Sequence, residues 1–266
     1  MSRLEQCFAE LKAVSKTALI PYIMTGDPHP DVTVPLMHAM VEAGANIIEL
    51  GAPFSDPMAD GPVIQASSER SLKQGTSLKS VFDAVRQFRQ RDAKTPIVMM
   101  GYLNPIEVMG YQTYAEKASE CGIDGVITVD MPPEEGHDYI EALRKSGIAP
   151  IFLIAPTSTE ERIKMIAEVS DGFVYYVSLK GVTGAATLDV ASVADKVETI
   201  RRHIDLPVGV GFGISDAQAA RMVSQCSDAV VVGSAIVKSM AINTETSIII
   251  EEVTTLLKSM RTAMDE

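Results

Sequence analysis

Eight short β-rich runs, each followed by a longer amphipathic stretch, fill this chain almost from end to end. The runs read TALIPYIMTG, ANIIEL, PIVMMGY, DGVITVD, APIFLIAP, GFVYYVS, LPVGVGFG and DAVVVGS. Between them, VTVPLMHAMVEAG, SLKSVFDAVRQFRQRD, YQTYAEKASECG, EEGHDYIEALRKSG, TEERIKMIAEVS and SDAQAARMVSQC carry helical patterns. Several of these stop at a glycine suited to a left-handed cap, namely Gly44, Gly122 and Gly147. Thr159 and the pair Ser215-Asp216 are suited to helix starts. Strands that alternate with helices pair in parallel. Eight such units in 266 residues predict a (β/α)8 barrel, read as one domain over residues 1–266. A doubly wound open sheet is the competing architecture, but no G-x-G-x-x-G fingerprint follows the first run.

Two segments lie outside the eight units. In MSRLEQCFAELKAVSK, Leu4, Phe8 and Leu11 fall on one helical face, so an extra N-terminal helix is placed to plug the bottom of the barrel. Residues 243 to 261 read as a final outer helix. The apolar positions of the N-terminus are interrupted by Glu5, Gln6 and Glu10, which leaves no signal-peptide core. No apolar run approaches the roughly 20 residues a membrane helix needs. Cys7, Cys121 and Cys226 are odd in number and far apart, as in a reducing compartment, and the chain is expected to be cytoplasmic. The formal net charge of -12 repels nucleic acid phosphates and argues against a nucleic-acid partner. His29, His38, His137 and His203 show no ligand spacing with one another or with the cysteines, so no metal site is expected.

A barrel of this kind does its chemistry where strands end and the following loops begin. The stretch IIELGAPFSDPMADGP, residues 47–62, carries a carboxylate at such an end, Glu49, and two more in the loop, Asp56 and Asp60. Glu49 reads either as a hydrogen-bonded structural prop or as a general acid/base whose pKa is raised by burial. Asp60 reads either as the N-cap of a helix opening at Pro62 or as a catalytic charge. Asp56 reads as a solvated loop acid. GVTG (181–184), GFG (211–213) and GS (233–234) follow the sixth, seventh and eighth strands. Glycines there let backbone N–H groups approach an anion at the usual phosphate position of such barrels, or else simply make tight turns.

IELGAPFSDPMADGP resembles the signature of the tryptophan synthase α-subunit family. PYIMTGDP, MMGYLNP, VDMPPEE, YYVSLKGVTG, VGFGIS and VVGSAIV continue the likeness, in the family's order, along the whole chain. The resemblance implies a (β/α)8 barrel that cleaves indole-3-glycerol phosphate to indole and glyceraldehyde 3-phosphate. It implies Glu49 as acid/base and Asp60 as partner of the indole ring nitrogen. It places Gly184, Gly213, Gly233 and Ser234 at the phosphate, and Tyr22 and Tyr175 in the pocket. Leu103 and Phe212 become apolar walls for indole, and the Thr183 hydroxyl becomes the group that orients Asp60. The likeness is interrupted at Leu179, where some members carry Arg. Lys180, just beyond the sixth strand, reads as a solvated loop lysine rather than a Schiff-base nucleophile. No cofactor is implied in this chain. Pyridoxal phosphate is implied in a partner β subunit, in an αββα assembly whose interface includes Pro53, Asp56 and Asn104. The chemistry calls for two carboxyl groups with separated pKa values. The oily strand end is expected to keep Glu49 protonated, and backbone donors in the loop are expected to hold Asp60 charged.

Overall fold

The computed structural model describes residues 1–178, 190–211 and 213–266. Nine parallel strand segments form one sheet: β1 (Ala18–Met24), β2 (Ile48–Gly51), β3 (Ile97–Gly101), β4 (Gly125–Thr128), β5 (Ala149–Ile151), β6 (Leu153–Ile154), β7 (Val174–Val177), β8 (Val208–Gly211) and β9 (Ala229–Val232). Their order is β5-β4-β3-β2-β1-β9-β8-β7-β6. The two ends of that order are consecutive in the chain, separated by Phe152 alone, so the sheet closes on itself. The expected fifth strand is therefore present but broken. The break is slight, because the Phe152 carbonyl still accepts a hydrogen bond of 3.1 Å from the Tyr175 N–H on β7. This is the (β/α)8 barrel that the alternation predicts.

Both faces of each strand are covered, which is why the runs read as continuous apolar sequence rather than as alternation. The side chains nevertheless alternate between two layers. Leu19, Ile23, Ile48, Leu50 and Met99 point outward into the core beneath the helices. Ala18, Ile20, Ile47, Val98, Ile127, Ile151, Phe173 and Val231 fill the barrel interior. Leu4 and Phe8 of the N-terminal helix Arg3–Ala13 complete that inner cluster, with the Phe8 and Phe173 rings 5.8 Å apart. The expected plug is in place, and Ser2 and Glu5 start its helix with a reciprocal capping box.

The expected helix ends are also met. Gly44, Gly122 and Gly147 all take positive φ, and Thr159 and Asp216 each cap a helix by accepting from the N–H three residues on. The last helix spans Thr246–Asp265. Leu103–Met109 and Ser234–Met240 are helices that no pattern announced, because seven residues are too few to show a period. Among the described residues, no helix is long and apolar enough to cross a membrane.

Candidate active site

The inward parity of the interior carries straight up to the strand ends. On β1 the inward positions run Ala18, Ile20, Tyr22. Before and along β2 they run Ile47, Glu49, Gly51. Glu49 therefore faces the inside of the barrel, pairs in register with Tyr22 and is only 2% exposed. Burial pushes its carboxyl up to about 8, and the nearby charge of Asp60 pushes in the same direction.

Asp60 lies half-buried in the loop after β2. Burial raises it as well, to about 6, while a hydrogen bond with the Tyr102 side chain opposes the rise. One alternative reading falls here and one expectation is corrected. The N-cap of helix Pro62–Lys73 is Gly61, so Asp60 is not the capping residue. Among the described residues, the donor that favours its charged form is a phenol from the end of β3 rather than the loop N–H groups expected, and burial outweighs that donor. The same Tyr102 hydroxyl accepts from the Ala59 N–H at 3.1 Å, and its ring stacks on Phe54 with centroids 5.1 Å apart. Tyr102 was not singled out from sequence. Its only signal was a strand-end tyrosine in MMGYLNP.

Two further phenols close over the acids. Tyr22 is buried, and its hydroxyl is pushed well up by burial and then by the charges of Asp60, Glu49 and Asp27. Tyr175 on β7 is buried beside Glu49, which raises it in the same way. Each ring lies where the next strand has a glycine, Tyr22 over Gly51 and Tyr175 over Gly211, and any Cβ there would collide with the hydroxyl. Gly233 begins helix Ser234–Met240 directly after β9 and packs beside Tyr22. Gly213 is exposed with φ +78, and Ser234 is exposed at the first turn of its helix.

The remaining candidates divide. Leu103 is half-buried against the outer core, while Met100 is the side chain that packs with Tyr22 and Met24 on the inner side. Asp56 is exposed in the loop after β2, and Asn104 is exposed in the first turn of helix Leu103–Met109. Pro53 is buried, lining a largely apolar cavity of about 240 Å³ with Phe54, Leu78, Met99 and Tyr102. Leu179, Lys180, Thr183, Gly184 and Phe212 lie outside the described residues. Among the described residues, one cluster could offer metal-ligand atoms: His137, Asp138 and Glu141, all exposed, with Glu141 already paired to Lys145.

A closed parallel barrel that gathers two carboxyl groups and three phenols at the C-terminal end of its strands belongs to the (β/α)8 class, with these groups at the end where such barrels do their chemistry. The sequence model of the family described as "Tryptophan synthase alpha chain" matches residues 8–265. The chain is 59% identical over 266 residues to the tryptophan synthase alpha chain of Thioalkalivibrio sulfidiphilus, covering 100% of both chains. It is 54% identical to that of Nitrosococcus oceani, over 100% of this chain and 98% of the relative. Its fold matches the crystal structure of the alpha subunit from Legionella pneumophila with a TM-score of 0.92 at 40% identity, over 100% of this chain and 99% of that one. The chain belongs to the tryptophan synthase alpha chain family, lyase subunits that cleave indole-3-glycerol phosphate and pass indole to a β-subunit partner.

Proposed function

We propose that Glu49 and Asp60 perform this cleavage as a protonated and an ionised carboxyl. A retro-aldol step needs a sink for the electrons of the breaking C–C bond. Protonating carbon C3 of the indole turns the ring into that sink, so the route asks for neither a lysine iminium nor a metal ion. Glu49, neutral at physiological pH, delivers the proton to C3 and becomes a carboxylate. Asp60, ionised at the same pH, stabilises the positive charge that develops on the ring N–H. The Glu49 carboxylate then takes the proton of the side-chain hydroxyl as the C–C bond breaks. Its electrons return to the ring, which releases indole and the aldehyde and restores the neutral acid.

The observation that carries this reading is the pair of unequal acids, one near 8 on an inward strand end and one near 6 in the adjoining loop. Tyr22, Tyr175 and Met100 form the walls next to them, with Leu103 and Phe212 as further candidates. Gly213, Gly233 and Ser234, with Gly184, hold the substrate phosphate through backbone N–H groups, and Thr183 orients Asp60. We place the whole activity in a single barrel domain, residues 1–266, with no cofactor of its own. The exposed Asp56 and Asn104, beside Pro53, face the β subunit in an αββα assembly, where pyridoxal phosphate belongs to the partner. The free Cys7, Cys121 and Cys226 accord with a cytoplasmic enzyme.

The test is indole release from indole-3-glycerol phosphate in the presence of β subunit. Asp60→Asn is expected to lower kcat about 10²–10⁴-fold, the range of a lost acid/base or charge-stabilising group. Unchanged turnover in Asp60→Asn would remove Asp60 from the reaction.

A further inference from the structure

Helix Pro62–Lys73, which begins two residues after Asp60, docks on the barrel in an unusual way. Its fully buried residues are Ser67, Ser68 and Ser71, all hydroxyls. The next helix, Leu78–Arg89, also twelve residues long, buries Val81, Phe82, Ala84, Val85 and Phe88 in the ordinary manner. An apolar face tolerates sliding and rotation, because its attraction has no direction. A face of hydroxyls is held at one register by bonds with set lengths and angles.

Those bonds reach both loops that frame the site. Asp27, completely buried in the loop after β1, receives a two-pronged bond from Arg70, with Nε to Oδ1 at 2.6 Å and Nη2 to Oδ2 at 2.8 Å. Ser67 adds a third bond to Oδ2 at 2.7 Å. Ser71 donates to the Thr25 carbonyl at 2.5 Å. Ser68 is bracketed by the backbone of Phe54, accepting from its N–H at 2.9 Å and donating to its carbonyl at 2.8 Å. At the helix start, Gln65 holds the Asp60 carbonyl through its side-chain amide at 2.9 Å. A buried ion pair contributes little net stability relative to apolar packing. What it contributes here is geometry.

We propose that Arg70 is a positioning residue for the reaction: by gripping Asp27 it fixes the rotation and height of helix Pro62–Lys73, and thereby the place of Asp60 relative to Glu49. The inference rests on Asp60 acting on the substrate. Arg70 touches no reacting atom. Its fork fits the planar carboxylate in one orientation only, which a lysine cannot reproduce. Misplacement of a catalytic group by about 1 Å costs on the order of 10²-fold in rate, so a shift of the helix too small to unfold the protein is enough to be seen.

The experiment measures kcat and KM for indole release from indole-3-glycerol phosphate, with saturating β subunit, alongside thermal unfolding. Arg70→Met leaves Asp27 buried and unpaired, so the paired variant Asp27→Asn with Arg70→Met, which removes both charges together, keeps the test alive if the single variant does not fold. In the paired variant kcat is expected to fall about 10–100-fold while KM stays within about threefold. Arg70→Lys is expected to recover only part of the loss. Combining the pair with Asp60→Asn closes a cycle: if Arg70 acts through Asp60, the pair costs nothing further once Asp60 is gone. A folded paired variant with kcat within twofold of the parent, or a loss that persists undiminished in the Asp60→Asn background, overturns the proposal while leaving Asp60 in its role. Full activity of Asp60→Asn alone strikes at the reading of Asp60 itself, and the assignment of Arg70 falls with it.

Discussion

The two ends of the barrel are continuations of the same side-chain columns, yet they are made of opposite materials. At the N-terminal end Ile47, Val98, Phe173 and Val231 meet Leu4 and Phe8 in a dry apolar layer. The charges there stay at the perimeter, where Asp124 receives Arg3 at 2.9 Å and Arg89 at 2.8 Å. One step of two residues further along the strands, Ile47 gives way to Glu49 and Phe173 to Tyr175. One such step more sets Gly51 against the Tyr22 ring, while Gly211 on β8 meets Tyr175 and Gly233, just after β9, meets Tyr22. The lower layers keep the barrel closed, and the upper layer holds acids in a niche they would not choose. The difference separates stability from chemistry along a single axis, and it can be attacked from either end.

The largest effect is expected from Glu49→Gln, which keeps the shape of the side chain and removes the proton donor. Indole release should fall about 10²–10⁴-fold. The same change should make the protein more stable. The folded-state pKa of Glu49, about 8, lies above the ordinary value of 4.5 that it has in the unfolded chain. Between those two values the native state holds more protons than the unfolded state, so stability is fullest below about 4.5 and declines as pH rises through 8. The cost to the fold at pH 8 is on the order of 5 kcal/mol before relaxation of the site. Urea midpoints of the Gln variant and its parent should coincide near pH 5 and separate at pH 8, with the variant higher. Coincidence at both values would mean that the niche is wet.

The opposite attack is Leu4→Ala in the plug. Leu4 is completely buried, and truncating such a leucine costs about 2–5 kcal/mol. The midpoint should drop by that amount, while kcat of the folded protein at 25 °C should stay within about twofold. A loss of kcat without a loss of stability would show that the two ends are coupled and that the division drawn above is false.

Much of this was legible in the sequence because it rests on local periodicity. Eight apolar runs gave the strands, and the place of Glu49 at the end of one of them marked it as a carboxyl raised by burial, although Ile47 and Ile48, apolar on both faces, could not say that it points inward. The plug could be read from Leu4, Phe8 and Leu11 alone. What escaped reading depends on groups far apart in the chain. Tyr102 reaches Asp60 across two loops, and nothing around residue 60 reports it. The serine face of Pro62–Lys73 looks solvent-exposed by composition, and only the arrival of Thr25, Asp27 and Phe54 makes it a buried seam. The break at Phe152 is likewise invisible, since APIFLIAP is apolar on both sides of it.

The smallest predicted effect refines the upper end. Asp60 is held near 6 by two opposed causes, burial raising it and the Tyr102 hydroxyl lowering it. Tyr102→Phe keeps the ring that stacks on Phe54 and removes only the hydroxyl, so Asp60 should move upward. Turnover requires Asp60 ionised and Glu49 neutral, which predicts a bell-shaped kcat/KM profile with limbs near 6 and 8. In the Phe variant the acid limb should climb by up to about one unit, so activity drops by up to about fivefold at pH 6, approaches a tenfold loss only at lower pH, and falls by less than about twofold near the top of the bell. The substrate phosphate also titrates near 6, but its ionisation is the same in both proteins and cannot produce a difference between them. If the acid limb stays fixed while the whole curve sinks, Tyr102 serves to hold the Ala59 N–H and the loop in place, and Asp60 draws its charge from another source.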